Sequence, residues 1–203
     1  MKVNFITCLI EEIIKAYGKK TDKSPDFARI INTKNWYRLT NMIQNEHILF
    51  GGESDANKLY IAPTLLEEPD LDSPVMKEEI FGPILPILTY ENLNDIENVV
   101  SRYEKPLSFY IFSENNSFTE KLIAKYSFGG GCVNDTVVHF SNKRLPFGGV
   151  GHSGIGAYHG KRSFELFSHH KPIVKKATWL DIPLRYAPYQ DKLASIKCIL
   201  DWL

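Results

Sequence analysis

The stretch LPFGGVGHSGIGAYHG, from Leu145 to Gly160, limits what this chain can fold into more than any other part of it. Glycine stands at positions 148, 149, 151, 154, 156 and 160. Each costs chain entropy on folding and permits a backbone path or a close approach that other residues cannot follow. Such density predicts that something lies hard against this backbone. A solvated linker is Gly- and Ser-rich and lacks large apolar groups, whereas this stretch also holds Phe147, Ile155 and Tyr158. The expectation is an ordered loop packed on a site.

The remaining composition narrows the class. With 203 residues the chain has the length of one domain. Hydrophobic residues at 43% and charged residues at 24% lie near the globular average, which excludes a disordered or fibrous chain. Lys plus Arg balance Asp plus Glu at 24 each, so no net field favours nucleic acid or an anionic membrane as partner. Cys8, Cys132 and Cys198 are odd in number and lack C-x-x-C spacing. That argues against a disulfide framework or a zinc site and fits a reducing, cytoplasmic setting. The N-terminal MKVNFITCLIEEI mixes acids into its apolar run and does not read as a signal peptide. Leu193–Leu203 carries Lys197 and Asp201 and is shorter than the roughly 20 residues of a spanning helix, so no membrane crossing is expected.

In chain order, Ile6, Leu9, Ile10, Ile13, Ile14 and Tyr17 recur at helical spacing up to Gly18, predicting an amphipathic helix. With no strand or cap ahead of it, the chain reads as cut from something longer. Asn32 is placed to cap a second helix with Trp36, Leu39 and Ile43 on its apolar side. His47–Phe50 and Leu59–Leu66 read as short strands and Glu67–Ser73 as a loop. Ile84–Thr89 and Leu107–Phe112 are strand-like, while Leu93 to Tyr103 and Phe118 to Tyr126 show helical spacing. Gly129-Gly130-Gly131 feeds a β-rich run, Cys132–Phe140, broken at Asn134-Asp135. The alternation predicts an α/β fold with an open, mostly parallel sheet, flanking helices, and sites beyond the carboxyl ends of strands. Ser163–Phe167 reads as a helix end, and Lys171–Thr178 as an exposed strand that invites a partner subunit. An irregular tail, Asp181–Tyr189, precedes a last short amphipathic piece.

Three candidate motifs fall away on inspection. Gly149-Val150-Gly151-His152-Ser153-Gly154 fits G-x-G-x-x-G, but a dinucleotide turn needs a strand immediately before it and an acid about 20 residues later. Leu145-Pro146-Phe147 interrupts the approach and no acid stands at that distance. His139, His152, His159, His169 and His170 cluster late, yet their expected placement on strands and a loop gives no convergent ligand set, so they are taken as solvated or capping and no metal is expected. No cysteine is set up as a nucleophile: Cys8 lies beside Glu11 and Glu12, which oppose a thiolate, Cys132 enters an apolar strand, and Cys198 is in the tail.

Glu78-Glu79-Ile80-Phe81-Gly82-Pro83, then Cys132-Val133-Asn134-Asp135, then Leu145 to Gly154 stand in an order and spacing that resemble the NAD(P)-dependent aldehyde dehydrogenases. Tyr158-His159-Gly160-Lys161, Ser163-Phe164, Phe167-Ser168-His169, Arg185-Tyr186 and Pro188 resemble the class-three branch, which includes fatty-aldehyde enzymes. The likeness covers nearly the whole chain but the C-terminal portion of the family alone. It implies that residues 1–168 form part of a catalytic domain, 169–180 an oligomerisation strand and 181–203 a C-terminal tail.

The resemblance assigns roles residue by residue. Glu79 matches the acid that holds the nicotinamide-ribose hydroxyls, Phe81 the aromatic beside the same ribose and ring, and Leu107 a leucine near the nicotinamide of NAD or NADP. A carboxylate can accept from two neighbouring hydroxyls, which suits that task. Phe147 resembles the aromatic lining the aldehyde tunnel, and Val138, His139 and Phe140 sit where class-three members shape its mouth; an apolar wall suits aldehydes with aliphatic or aromatic tails. Glu79 and Phe147 are then expected to share one cleft. No G-Q-x-C string is present, and the nucleophilic cysteine, general base, oxyanion asparagine and nucleotide-binding domain of the family belong upstream of Met1. The expected reaction is oxidation of an aldehyde to a carboxylic acid, with this chain inactive alone, catalytic residues absent, and a homodimer or association with the N-terminal half as its assembly. The alternative is a non-catalytic remnant acting as an assembly module.

Overall fold

The computed structural model describes residues 1–189 and 192–201. Helix α1 (Lys2–Tyr17) follows the predicted apolar spacing; the Gly18 N–H donates a last helical bond to the Ile14 carbonyl, and the φ of 78° at Gly18 then turns the chain out of the helix. No residue of α1 is buried. It is tied to the sheet at its start, where Lys2 Nζ lies 2.8 Å from Glu67 Oε1 and 3.1 Å from Glu68 Oε1.

Helix α2 (Thr33–Ile43) begins as the sequence requires: Asn32 caps it by accepting the Asn35 N–H through its side chain at 2.9 Å. Then come β1 (Ile48–Phe50), β2 (Ser54–Asp55), β3 (Tyr60–Ile61), β4 (Thr64–Glu67), the short α3 (Pro74–Lys77) and β5 (Ile84–Ile87). Leu39, Met42 and Ile43 from α2 meet Ile61, Leu66, Val75 and Ile84 in the hydrophobic core. That core exists because the apolar side of α2 lies against strands whose own residues are buried.

The second half repeats the strand–helix alternation. Helix α4 (Leu93–Val100) has a capping box between Asn92 and Asp95, β6 (Ser108–Ile111) follows, and α5 (Asn116–Lys125) is capped by Asn115. Strand β7 (Gly130–Val133) pairs parallel to β6, from Ser108↔Gly130 to Ile111↔Val133. Beyond it lie α6 (Val138–Ser141), α7 (Gly160–Leu166) and α8 (Leu193–Leu200).

The α/β class stands, and the two longer ladders, β4·β5 and β6·β7, are parallel. The single open sheet is instead three pieces: β1-β4-β5 with β1 antiparallel to β4, the antiparallel pair β2-β3, and β6-β7. The expected strand Cys132–Phe140 is also corrected. It starts earlier, at Gly130, and ends at Val133. Asn134, at φ 56°, accepts from the Ser113 N–H at 2.8 Å and donates to the Ser113 carbonyl at 3.0 Å, which locks the end of the β6·β7 ladder and turns the chain away. Val138, His139 and Phe140 consequently lie on a helical turn.

Lys171–Thr178 joins no hydrogen-bonded ladder within the described residues, and every residue of it is exposed, Ile173 by 68% and Val174 by 93%. Gln190, Asp191, Trp202 and Leu203 of the expected tail lie outside the described residues. The chain exposes 15438 Å², against about 9,700 Å² for a compact monomer of its mass.

Candidate functional site

The first candidate surface is the loop between α3 and β5. Ile80 packs against the core cluster, while Glu79 before it and Phe81 after it are exposed, Phe81 by 79%. Phe81 takes a φ of 46°, a left-handed conformation that disfavours a residue with a Cβ and persists where neighbours hold it. Two anchors come from α2. The Arg38 guanidinium donates to the carbonyls of Glu79 and Ile80, and Leu39 packs so close to Gly82 that a Cβ there would lie 2.7 Å from its methyls. Glu79, Phe81, Arg38, Asn35 and Arg29 line a cleft of 890 Å³. The loop thus presents an exposed carboxylate and an aromatic face to the same cleft.

The second surface is built by the glycine stretch. Phe147 and Tyr158 bond to each other's backbone at 2.9 and 3.0 Å, closing the loop into an ordered hairpin. What lies hard against Gly148 and Gly149 is the loop itself: a Cβ on Gly148 would stand 2.1 Å from the Gly156 carbonyl oxygen, and one on Gly149 2.1 Å from that of Ser153. The path is thus dictated by backbone packing on backbone.

That hairpin presents Phe147 to a cluster of rings. Phe140 meets it edge-on at 4.9 Å, His139 lies at 5.9 Å, His159 at 6.1 Å and Tyr158 at 6.0 Å, with Tyr110 beyond His139 at 5.7 Å. Such pairs add to the stability of the wall beyond the area they bury. Val138, on the same turn as His139, is 46% exposed. Leu107 belongs to this side as well, since its carbonyl accepts the Gly130 N–H at 3.0 Å.

The structure therefore gathers Leu107, Val138, His139, Phe140 and Phe147 around β6, β7 and the glycine hairpin. It places Glu79 and Phe81 elsewhere. None of those five lines the 890 Å³ cleft, because the Glu79 loop leads into β5 of the first sheet while Phe147 packs beside the separate β6·β7 pair. Two walls stand where one shared cleft was expected.

The sequence model of the aldehyde dehydrogenase family matches residues 3–173. The chain belongs to the aldehyde dehydrogenase family. It is 46% identical over 199 residues to the 4,4'-diaponeurosporen-aldehyde dehydrogenase of Staphylococcus aureus (strain NCTC 8325 / PS 47), covering 97% of this chain and 43% of that protein. Aldehyde dehydrogenase family 3 member A2 of Mus musculus is 45% identical over 195 residues, 95% of this chain and 40% of that protein. The solved substrate-bound state of Staphylococcus aureus AldH superposes with a TM-score of 0.87 at 46% identity, covering 98% of this chain and 44% of that one. This aldehyde dehydrogenase chain thus spans less than half the length of these three relatives, and the family 3 members among its matches place it in family 3.

Two features of this aldehyde dehydrogenase chain differ from the reading of its sequence. His139 and His159 are half-buried members of the ring cluster, with His139 Nε2 and His159 Nδ1 buried and without hydrogen-bond partners, where solvated or capping histidines were expected. His152 does lie at the surface, 2.7 Å from Glu104. Cys132, expected in an apolar strand, ends with its Sγ 3.5 Å from His139 Nδ1. Among the described residues no group of three or more His, Cys, Asp or Glu could hold a metal, and no helix is long and apolar enough to cross a membrane. The sequence reading also missed Arg38 and Tyr110. Arg38 meets its partners some 40 residues downstream, so no local spacing announces it.

Proposed function

We propose that this chain is the C-terminal catalytic-domain portion of a class-three aldehyde dehydrogenase whose whole protein oxidises an aldehyde to a carboxylic acid with NAD or NADP. The observation that carries this reading is the anchored loop that holds Glu79 and Phe81 exposed at the mouth of one cleft. Glu79 would accept hydrogen bonds from the nicotinamide-ribose hydroxyls and Phe81 would cover the sugar; Leu107, which stands with the second wall, would meet the ring only where the cofactor reaches from the first wall to the second. Bound there, the nicotinamide cofactor supplies a hydride acceptor. Phe147, Phe140, His139 and Val138 would form the apolar wall that excludes water from the aldehyde.

The nucleophile belongs to the part of the family that this chain does not span. Cys8 and Cys198 are exposed on helices, and Cys132 sits against His139 beside the ring cluster. None of the three lies at the Glu79 cleft. The chain alone is therefore inactive in this reading. Incubating the purified chain with long-chain aldehyde and NAD tests it: no NADH is expected, and measurable NADH from the chain alone refutes it.

The exposed segment Lys171–Thr178 supports a second reading, an assembly module that pairs through this edge with a second copy. Residues 1–168, 169–180 and 181–203 then act as partial catalytic domain, oligomerisation strand and tail, in a cytoplasmic protein. Light scattering at high concentration should show a dimer; a clean monomer counts against it.

A further inference from the structure

We propose that Arg38 is the positioning residue that sets the Glu78–Gly82 loop in the one conformation presenting Glu79 and Phe81 to the cleft, an inference that rests on reading those two as cofactor-facing. Its guanidinium reaches from the middle of α2 across to three consecutive residues. Nη2 donates to the Ile80 carbonyl at 2.6 Å, and Nη1 donates to the Glu79 carbonyl and to Glu78 Oε2, each at 3.3 Å. Nε is turned to Asn35 Oδ1 at 3.4 Å, one helical turn back on α2. The group is thus clamped on its own helix and grips the loop with its free fork.

Those two carbonyls belong to the peptide planes on either side of Ile80. Each plane is rigid, so holding both oxygens sets the φ and ψ of Ile80 between them and fixes the stretch of chain on which Glu79 stands immediately before and the turn at Phe81, with its φ of 46°, immediately after. Ile80 then points into the core while its neighbours point out. The acids divide the work. Glu78 pairs with Arg38, and among the described residues the Glu79 carboxylate has no ion-pair or hydrogen-bond partner, which leaves it free to accept from hydroxyls. A lysine replaces this only in part, because an ammonium is a point charge and lacks the planar fork that spans two acceptors.

The test uses the 203-residue chain carrying Arg38→Gln or Arg38→Lys. Amide exchange across residues 79–82 is compared with exchange in β4, and Trp36, whose Nε1 donates to the Tyr60 carbonyl at 2.9 Å, reports on the seating of α2 through its emission. Saturation-transfer NMR with reduced nicotinamide riboside, which carries the ring and ribose alone, reads the presentation of Glu79. We expect Arg38→Gln to raise exchange at 79–82 at least tenfold with β4 and Trp36 unchanged, and to abolish the transfer signal. Arg38→Lys should restore part of both, and it carries the test if the Gln variant does not fold. Loop exchange at the wild-type rate in Arg38→Gln, or a rise shared equally by β4, overturns the proposal. Glu79→Gln with an undiminished riboside signal overturns the cofactor reading instead and leaves the exchange result to decide the role of Arg38.

Discussion

Phe147 and Tyr158 hold each other by two backbone hydrogen bonds, and everything between them is arranged so that the bonds can form. The Gly148 and Gly149 backbones pass against the carbonyls of Gly156 and Ser153 with no room for a methyl group. Phe147 is therefore aimed at Phe140 and His139 by a hairpin whose shape its glycines permit.

Gly148→Ala should open that hairpin. The added carbon meets a backbone oxygen at 2.1 Å, and we expect a loss of roughly 3 kcal/mol, a Tm lower by roughly 6–12 °C. Gly156→Ala is the control: nothing lies within 4 Å of its Cβ position, and the penalty there is the φ of 80°, about 1 kcal/mol. Equal shifts for the two in calorimetry would remove the close approach as the reason for Gly148.

The thiols should react in two classes. Cys8 and Cys198 are exposed, whereas Cys132 is half-buried with its sulfur on His139. Titration with a chromogenic disulfide under native conditions should show two fast thiols and one slower on the order of tenfold. Three equal rates would show that β7 and α6 do not shelter Cys132.

Acid should release α1 from the sheet. Lys2 beside Glu67 holds that carboxyl below its ordinary range, and the Thr89 hydroxyl, then Lys2, do the same for Glu68. A carboxylate with a depressed folded value adds stability that is present above the unfolded value and lost as pH falls through the folded one, so the tether weakens below about pH 4. Amide exchange along α1 should rise there while β4 stays protected, and Lys2→Met should show the raised exchange already at neutral pH. Exchange along α1 that is flat from pH 6 to pH 3 would mean that this contact does not hold the helix.

Leu39→Ala should be among the costliest single changes. Leu39 has no exposure and touches both the core and Gly82, so a loss of about 2–5 kcal/mol is expected in urea unfolding, together with faster exchange at Phe81 and Gly82. A midpoint within error of the wild type would place the core elsewhere.

The sequence by itself determined what local rules govern. Helical spacing with Gly18 as a stop and Asn32 as a cap gave α1 and α2, the alternation of β5, α4, β6 and α5 gave the α/β class, and the order of three motifs gave the family. Such signals lie within a turn of helix or a few residues of strand, so they are readable without knowing what packs on them. Tertiary structure alone decided the rest. The fork of Arg38 on Glu79 and Ile80, the lock of Asn134 on Ser113 that shortens β7, and the gathering of His139 and His159 around Phe147 join residues far apart in the chain. Contacts of that kind follow from which surfaces pack together, and nothing in the local pattern of either partner encodes the other.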